Sequence, residues 1–567
     1  MWSGKRPTGY VYLAALGLAI SACAPSAAPR EAGGSSRQPQ ATAAPKILTF
    51  AVPRELDTWN TDITLVTRGG GTSSIQYVGH SKLTVQNDDA LSYVPQLATE
   101  MPSIDNGTWR VNPNGSMDVE WRIWPNAKWH DGMPMTSDDL LFTFEVIHDP
   151  EIPNVIGQPL RLMESAAAPD PRTFVVHWNR PYIDVPQASG LTVMPRHILE
   201  QSFRQDKAGF PNHPWMSREF VGLGPYRMVR WEAGAFMEFT RFDDYYKGRP
   251  AFDSVIVQFI KDENAIIAAV LSGAVDVVPP VGLDVETVFE VKERFEASGN
   301  HVAGTLTGGF FIVEMQHRPE FARPRLGLTN RDVRQALYQA INRPQITEVM
   351  SQGLGFVADS WFFPGHPDRA SVEAAIPQYP YDLSRSAQLL AGAGWIRGSD
   401  GVLVNQETGE RFDVQVSPTR DYARMGQIIS DFWRRAGAQV EERAVAADRA
   451  QDLEQIAAAP GAWFTNPRYY QMAQDRYHTR SIPTTATRWT GRNRGGYANP
   501  RGDDIMDRLV ATIPTAERLP FHRQLIQEML GDIAFMPLFW EYDPYLFAKG
   551  MKGINGGLWN VDTWDRE

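Results

Sequence analysis

Between Gly222 and Val278 the apolar positions recur first with the period of a strand and then with that of a helix. Tyr226, Met228, Val229 and Trp231 alternate loosely after a Gly-x-Gly-Pro turn, which suits a half-buried strand. Phe236–Arg241 repeats that pattern, and Val255–Ile260 is a mostly apolar run, so three strands are predicted in succession. Ile266, Ile267, Val270 and Leu271 then share one helical face, with Asp262 placed as N-cap and Gly273 where a C′ glycine stops a helix. Val275–Val278 returns as a short strand. The order predicts an α/β lobe and by itself specifies no chemistry.

The same patterning extends along the chain. A first strand is predicted at Ile47–Val52, a helix at Ile75–Leu83 and an alternating strand at Val119–Trp124. An Asp131–Gly132 turn leads to a helix capped by Thr136, with Asp138 and Asp139 complementing its dipole and Leu140, Leu141, Phe144 and Ile147 as its buried face. Phe174–Trp178 reads as a strand and Val193–Gln201 as a helix. From His301 the α/β pattern restarts, with a strand at Phe310–Met315 and helices capped by Asn330 and Asn342. Amphipathic helices follow at Asp382–Trp395, Tyr422–Gly437 and Arg518–Leu530, then a strand at Met536–Trp540. Gly69–Gly71 permits unusual backbone angles, as a linker or close to a ligand. No internal repeat is present, and 567 residues exceed what one core supports, so two to four domains are expected.

The first residues follow a different pattern. Lys5 and Arg6 precede an apolar run from Tyr10 to Ile20, too short to span a bilayer comfortably, which reads as a signal peptide over residues 1–22. It ends in Ile20–Ser21–Ala22–Cys23, which resembles the lipobox of bacterial lipoproteins. That resemblance implies that the Cys23 thiol takes a diacylglycerol as a thioether and anchors the chain. Residues 23–45, rich in Ala, Pro, Ser, Gly and Gln, read as a disordered tether reaching roughly 25 Å. The folded part is expected from Lys46.

Composition removes several function classes. A net charge of −11 argues against a general nucleic-acid binder, which needs a basic face. A single cysteine excludes an intrachain disulfide framework and any cysteine-rich metal site. There is no GxxxxGK, GxSxG, HExxH or Rossmann glycine fingerprint, and the eleven histidines lack metal-ligand spacing. His130 and Asp131 are adjacent polar groups that admit an acid/base pair, but their setting favours a hairpin turn. No metal, cofactor or catalytic residue is expected, and the chain is not read as an enzyme.

Several stretches together resemble the extracytoplasmic solute-binding proteins of peptide-type ABC importers, solute-binding family 5, whose members bind peptides, oligopeptides or nickel. They are Gly222–Leu223–Gly224–Pro225–Tyr226, Phe242–Asp243–Asp244–Tyr245–Tyr246, Ser272–Gly273–Ala274–Val275–Asp276 and the run from Trp121 through His130–Asp131–Gly132 to the Thr136 helix. Val333–Arg334–Gln335–Ala336–Leu337, Ala340–Ile341–Asn342–Arg343 and Asp382–Trp395 add to them. The resemblance covers almost everything after Lys46. It implies an α/β, two-lobed periplasmic-binding-protein fold of the large cluster C type, with three subdomains and a hinge between the lobes. The N-terminal lobe would cover 46–300 with an inserted subdomain at about 76–187, the C-terminal lobe 301–530, and residues 531–567 would return to the first lobe. It further implies a monomeric, lipid-anchored receptor on the periplasmic or extracellular face of the cell envelope. Such a receptor captures a peptide or similar polar solute and delivers it to an ABC permease, with no nucleic-acid partner.

One segment departs from the family pattern. Where peptide-binding members carry an acidic run whose aspartate holds the peptide amine, Gly461–Pro500 carries six arginines (Arg468, Arg476, Arg480, Arg488, Arg492, Arg494) and one acid, Asp475. Arginines offer bidentate hydrogen bonds to carboxylate or phosphate. Equally, they suit a solvated loop paired with acids elsewhere. The candidate ligand-binding residues are Trp463, Tyr469, Asp475, Tyr477, Arg488, Trp489, Arg492 and Trp540. If the arginines line the cleft, Arg488→Ala or Arg492→Ala should weaken binding more than Asp475→Ala. The 17 tryptophans and 18 tyrosines also admit an oligosaccharide, and an anionic solute, a ligand sensor and an extracytoplasmic hydrolase stay open.

Overall fold

The computed structural model describes residues 44–63, 72–87, 92–152, 162–185, 191–280, 282–283, 285–352, 355–418, 422–443, 452–469, 472, 475–554 and 559–567. Cys23 and Gly69–Gly71 lie outside the described residues. Among the described helices none is long and apolar enough to cross a membrane.

A ten-stranded sheet runs through the fold in the order Gln439–Glu442, Asp413–Ser417, Ala462–Thr465, His301–Met315, Met536–Phe547, Val277–Val278, Ile47–Val52, Ser254–Phe259, Phe236–Arg241 and Tyr226–Glu232. Ile47–Val52 lies parallel to Ser254–Phe259 and buries Leu48, Phe50 and Val52 in the first core. Trp59 stacks on Phe220 there at 3.9 Å between ring centroids. The chain ends in the same core, where Val561 and Trp564 pack and Lys46 Nζ meets Asp565 at 2.8 Å.

A separate four-stranded antiparallel sheet, in the order Trp109–Val111, Met117–Arg122, Thr173–Trp178 and Met163–Asp170, carries its own core of Trp121, Trp129, Met135 and Leu140. The helix Ser137–His148 covers it. Its start is fixed by a capping box, in which the Thr136 backbone N–H donates to Asp139 Oδ2 at 2.9 Å.

The second lobe is built on the far half of the long sheet. The helices Arg331–Gln339 and Ala423–Ala436 bury Val333, Leu337, Ile429 and Trp433 in one of its cores. The helices Pro500–Ala511 and Thr515–Gly531 close the other over Phe310, Ile312 and Trp540.

Two strands serve both lobes. His301–Met315 has 15 residues and Met536–Phe547 has 12, against about 5–6 for an ordinary strand. Val302 and Leu546 pack with the first lobe, whereas Phe310 and Trp540 pack with the second. The sequence pattern places a strand only at Phe310–Met315. The earlier half is masked by Gly304, Gly308 and Gly309, which interrupt the alternation of apolar side chains. Likewise Met536–Trp540 is only the first half of a strand that continues to Phe547 through the polar residues Glu541 and Asp543.

Candidate functional site

Between the lobes the two crossing strands pair with each other, and their register breaks there, where Gly309 also bridges Arg468. Leu306 opposes Tyr542 and Phe310 opposes Trp540, so residues 307–309 face the single residue Glu541. Such an excess bends the strand and frees part of its ladder. Gly309 is required by close approach: an added Cβ would lie 2.3 Å from Asn466 Oδ1 and 2.9 Å from Glu541 Oε2.

Asn466, one residue past the strand Ala462–Thr465, donates from Nδ2 to Glu541 Oε1. Its Oδ1 is buried and accepts no hydrogen bond among the described residues. Thr305 is 2% exposed and opposes Asp543, and its Oγ1 also has no partner among the described residues. Strand alternation puts Thr305, Asp543 and Glu541 on one face of the waist. Two positions along that face Phe539 meets Phe311 at 4.7 Å, and Tyr422 stands edge-on to Phe311 at 5.4 Å.

The opposite face is aromatic. Trp540 is fully buried against Phe310 at 4.9 Å and Phe363 at 5.9 Å. Tyr469 is half-buried and faces His366 at 6.0 Å. Burial pulls His366 below its ordinary value and takes the neighbouring His522 to about 3, so both rings are neutral near pH 7. Ile183 packs against this cluster, and at another point Arg424 of Ala423–Ala436 pairs with Glu286 of Val285–Ala297.

A second polar centre lies deeper in the second lobe, five residues along the strand, or about 17 Å at its rise per residue. Glu314 is 2% exposed. Its Oε1 accepts from Arg476 Nε at 3.1 Å, Arg476 Nη2 at 2.9 Å and the Tyr477 hydroxyl at 2.7 Å, and its Oε2 accepts from Trp463 Nε1 at 2.8 Å. Arg476 Nη2 also donates to Thr465 Oγ1. Burial pulls the Arg476 guanidinium down, but the Glu314 carboxylate outweighs it and holds the group above its usual value. Burial, and then the same carboxylate, drives the Tyr477 phenol well up. The centre is a saturated ion pair.

The candidates read from the sequence therefore fall into different surroundings. Trp463 and Tyr477 are spent on Glu314, and Trp540 and Tyr469 stand at the aromatic face of the waist. Asp475 is half-buried, and its carbonyl accepts from the His478 N–H at 3.1 Å. Arg488 and Arg492 are exposed and Trp489 is half-exposed, on a loop whose base is fixed by Arg318 Nη1 donating to the Pro483 carbonyl. Arg318 follows the end of the crossing strand, so that base lies at the far end of the sheet from the waist. Arg480 pairs with Asp507 at 2.6 Å. Arg468, Arg488, Arg492 and Arg494 make no ion pair among the described residues.

His130 and Asp131 form no pair. His130 Nδ1 accepts from the Gly222 N–H at 3.2 Å and Nε2 donates to the Gly224 carbonyl at 3.0 Å, and burial holds the ring at about 4. Asp131 turns away to His197 at 2.7 Å.

Asn466, Glu541, Asp543 and Thr305 were not singled out by sequence pattern. The signal for them is Gly308–Gly309 inside an apolar strand, which marks a bulge or a close backbone approach. Among the described residues no group of three or more His, Cys, Asp or Glu is placed to hold a metal ion.

Comparisons with known proteins agree on the family. Residues 92–489 match the model for bacterial extracellular solute-binding proteins, family 5. A putative ABC transporter peptide-binding protein of Brucella ovis is 29% identical over 286 residues, which are 49% of this chain and 50% of that protein. The chain thus spans about half the length of that relative. The oligopeptide-binding protein AppA of Bacillus subtilis is 22% identical over 521 residues, 87% of each chain. Among solved structures, NikZ from Campylobacter jejuni in complex with Ni(L-His) superposes with a TM-score of 0.70 at 20% identity, covering 92% of this chain and 100% of that one.

Proposed function

The chain belongs to the bacterial extracellular solute-binding proteins of family 5, and on that premise we propose that it is the lipid-anchored receptor of an ABC importer. It captures a peptide or similar polar solute between its two lobes and hands it to a permease in the cytoplasmic membrane. The family is one of binding proteins, and its relatives in Brucella ovis and Bacillus subtilis carry peptide-binding names. The observation that carries the reading is the waist. Two lobe cores are joined by a two-strand bridge whose register breaks where the cores meet, which gives hinge closure a place to occur.

Mass spectrometry of solute released from the purified, denatured chain tests capture directly; a peptide or small polar solute is expected, and an empty spectrum from protein of full occupancy by calorimetry would contradict it. Scattering with saturating solute should give a smaller radius of gyration than without it. Replacing Cys23 with Ser should leave the chain unprocessed or release it from the membrane fraction, whereas a fully processed, membrane-bound variant overturns the anchor.

The four arginines that make no ion pair among the described residues support a second reading, in which the solute is anionic. Titrating the released solute against Arg488→Ala, Arg492→Ala and Asp475→Ala separates the two. Loss at the arginines favours the anion, and loss only at Asp475 favours an amine held there.

A further inference from the structure

We propose that Ile183 of the first lobe and Ile513 of the second, each packed against the other lobe's core, form a latch across the cleft, and that Arg518 is the residue that positions it. The inference goes beyond solute capture. It concerns what holds the two lobes together, and the chain's own side chains make the contact.

The latch is reciprocal. Tyr182 and Val185 are buried in the core of the four-stranded sheet, where Tyr182 stacks on Trp178 at 5.4 Å between ring centroids. Ile183 stands between these two anchors but packs against the second-lobe cluster that contains Phe310, Leu525 and Trp540. Ile513 does the converse. It connects the helices Pro500–Ala511 and Thr515–Gly531, which close that second-lobe core, yet it packs against the core of the four-stranded sheet. Pro514 disfavours the helical conformation at Ile513, so the connection does not wind into the next helix.

Arg518 ties the two isoleucines to one place. Its Nη1 donates to the Ile513 carbonyl at 2.9 Å and its Nη2 to Thr515 Oγ1 at 3.1 Å, which fixes the turn that carries Ile513. Its charge faces Asp184, the neighbour of Ile183, and Asp368 of its own lobe. Burial pulls the guanidinium below its usual value, and these two acids oppose the fall.

Both isoleucines are half-buried. Parting the lobes returns their apolar area to water, so the contact favours the closed arrangement, and it is small enough to be broken reversibly. On the Phe311 face of the bridge the lobes meet through Arg424 and Glu286, a half-exposed ion pair. Such a pair contributes little. Opening therefore begins on that flank, and the isoleucines part last.

The test is hydroxyl-radical footprinting of the full chain in detergent, dialysed until native mass spectrometry shows no bound solute. Peptide mass spectrometry then reads the modification of each side chain. Ile513→Ser should raise modification of Ile183, in the other lobe, about threefold or more, and Ile183→Ser should do the same at Ile513. Tyr182, which stays in its own core, should remain as protected as in the parent. Arg518→Lys keeps the charge facing Asp184 but loses the paired donors on Ile513 and Thr515, and should raise Ile183 modification less than Ile513→Ser does. The milder Ile513→Val should keep the parent footprint, and Arg424→Ala should leave both isoleucines protected.

An unchanged Ile183 in Ile513→Ser would overturn the latch. So would a rise at Tyr182 equal to that at Ile183, which would trace the effect to loosening of the four-stranded sheet. Full protection of Ile183 in Arg518→Lys would overturn the role given to Arg518. The capture reading is judged separately: failure to bind any solute would sink capture and leave the latch standing on its footprint.

Discussion

Glu314 and Glu541 stand about 17 Å apart along the same pair of strands and are opposites. Glu314 is closed on all sides by Arg476, Tyr477 and Trp463, all of them residue types that binding sites favour. Glu541 accepts from Asn466 Nδ2, and the Asn466 Oδ1 and Thr305 Oγ1 close by have no partner among the described residues. The contrast shows that residue type is a poor guide to where a ligand goes. Arginine, tyrosine and tryptophan at Glu314 are consumed in neutralising one buried carboxylate, so they stabilise the lobe. Two buried oxygens without a partner among the described residues, Asn466 Oδ1 and Thr305 Oγ1, lie at the waist, on residue types with no distinctive composition.

The largest effect that would break this comparison is on stability at Glu314. Arg476→Met leaves the carboxylate buried and unpaired, and chemical denaturation should show a loss of about 3–5 kcal/mol. Solute affinity of the molecules that remain folded should hardly change. Glu541→Gln keeps an oxygen that can accept from Asn466 Nδ2 and should cost less stability than Arg476→Met in the same denaturation experiment. A large affinity loss in Arg476→Met would merge the two centres into one.

Acid sharpens the comparison by setting the pH range in which it can be measured. Burial takes His80, His317 and His522 from 6.5 to about 3 and His130 to about 4. The folded chain then binds fewer protons than the unfolded chain between those values and 6.5. Stability is complete above pH 6.5 and falls as the pH drops towards 3, by about 1.4 kcal/mol per pH unit for each histidine. Denaturation midpoints at pH 7 and pH 5.5 should show the loss, and His317→Gln should flatten the profile. Solute affinities are therefore to be compared above pH 6.5.

The smallest effects belong to the exposed cations. Arg480→Ala removes an exposed ion pair with Asp507 and should cost no more than about 1 kcal/mol. Arg488→Ala and Arg492→Ala should leave stability within about 0.5 kcal/mol. A loss above 2 kcal/mol at either would show that the loop is bound into the lobe after all.

Local patterning made much of the first lobe legible. Phe236–Arg241 is a strand, Asp262 caps Glu263–Leu271 through its side chain, and Gly273 follows the helix end. The Gly-x-Gly-Pro turn has a physical reason that patterning does not reveal. A Cβ on Gly222 would sit 2.0 Å from the Gly79 carbonyl oxygen, and one on Gly224 2.4 Å from the His80 nitrogen, so backbone packs on backbone there. The site was less legible because its partners are far apart in sequence. Arg476 is 162 positions from Glu314, and Asn466 is 75 from Glu541. An arginine-rich run cannot declare which of its members have already met an acid.

At the break between Leu306 and Phe310 the two strands differ in length by two residues. Residues 307–309 stand against Glu541 alone, three against one, an excess of two. With that excess, Leu306 and Phe310 still face the same way as Tyr542 and Trp540. A single inserted residue would turn everything beyond it over, aiming Phe310 at solvent and a polar neighbour into the second core. A pair of residues would leave both cores untouched and only lengthen the bridge. Among homologous chains, insertions and deletions at this point should therefore be even in number, and an odd one should arrive with a compensating change in the opposite strand.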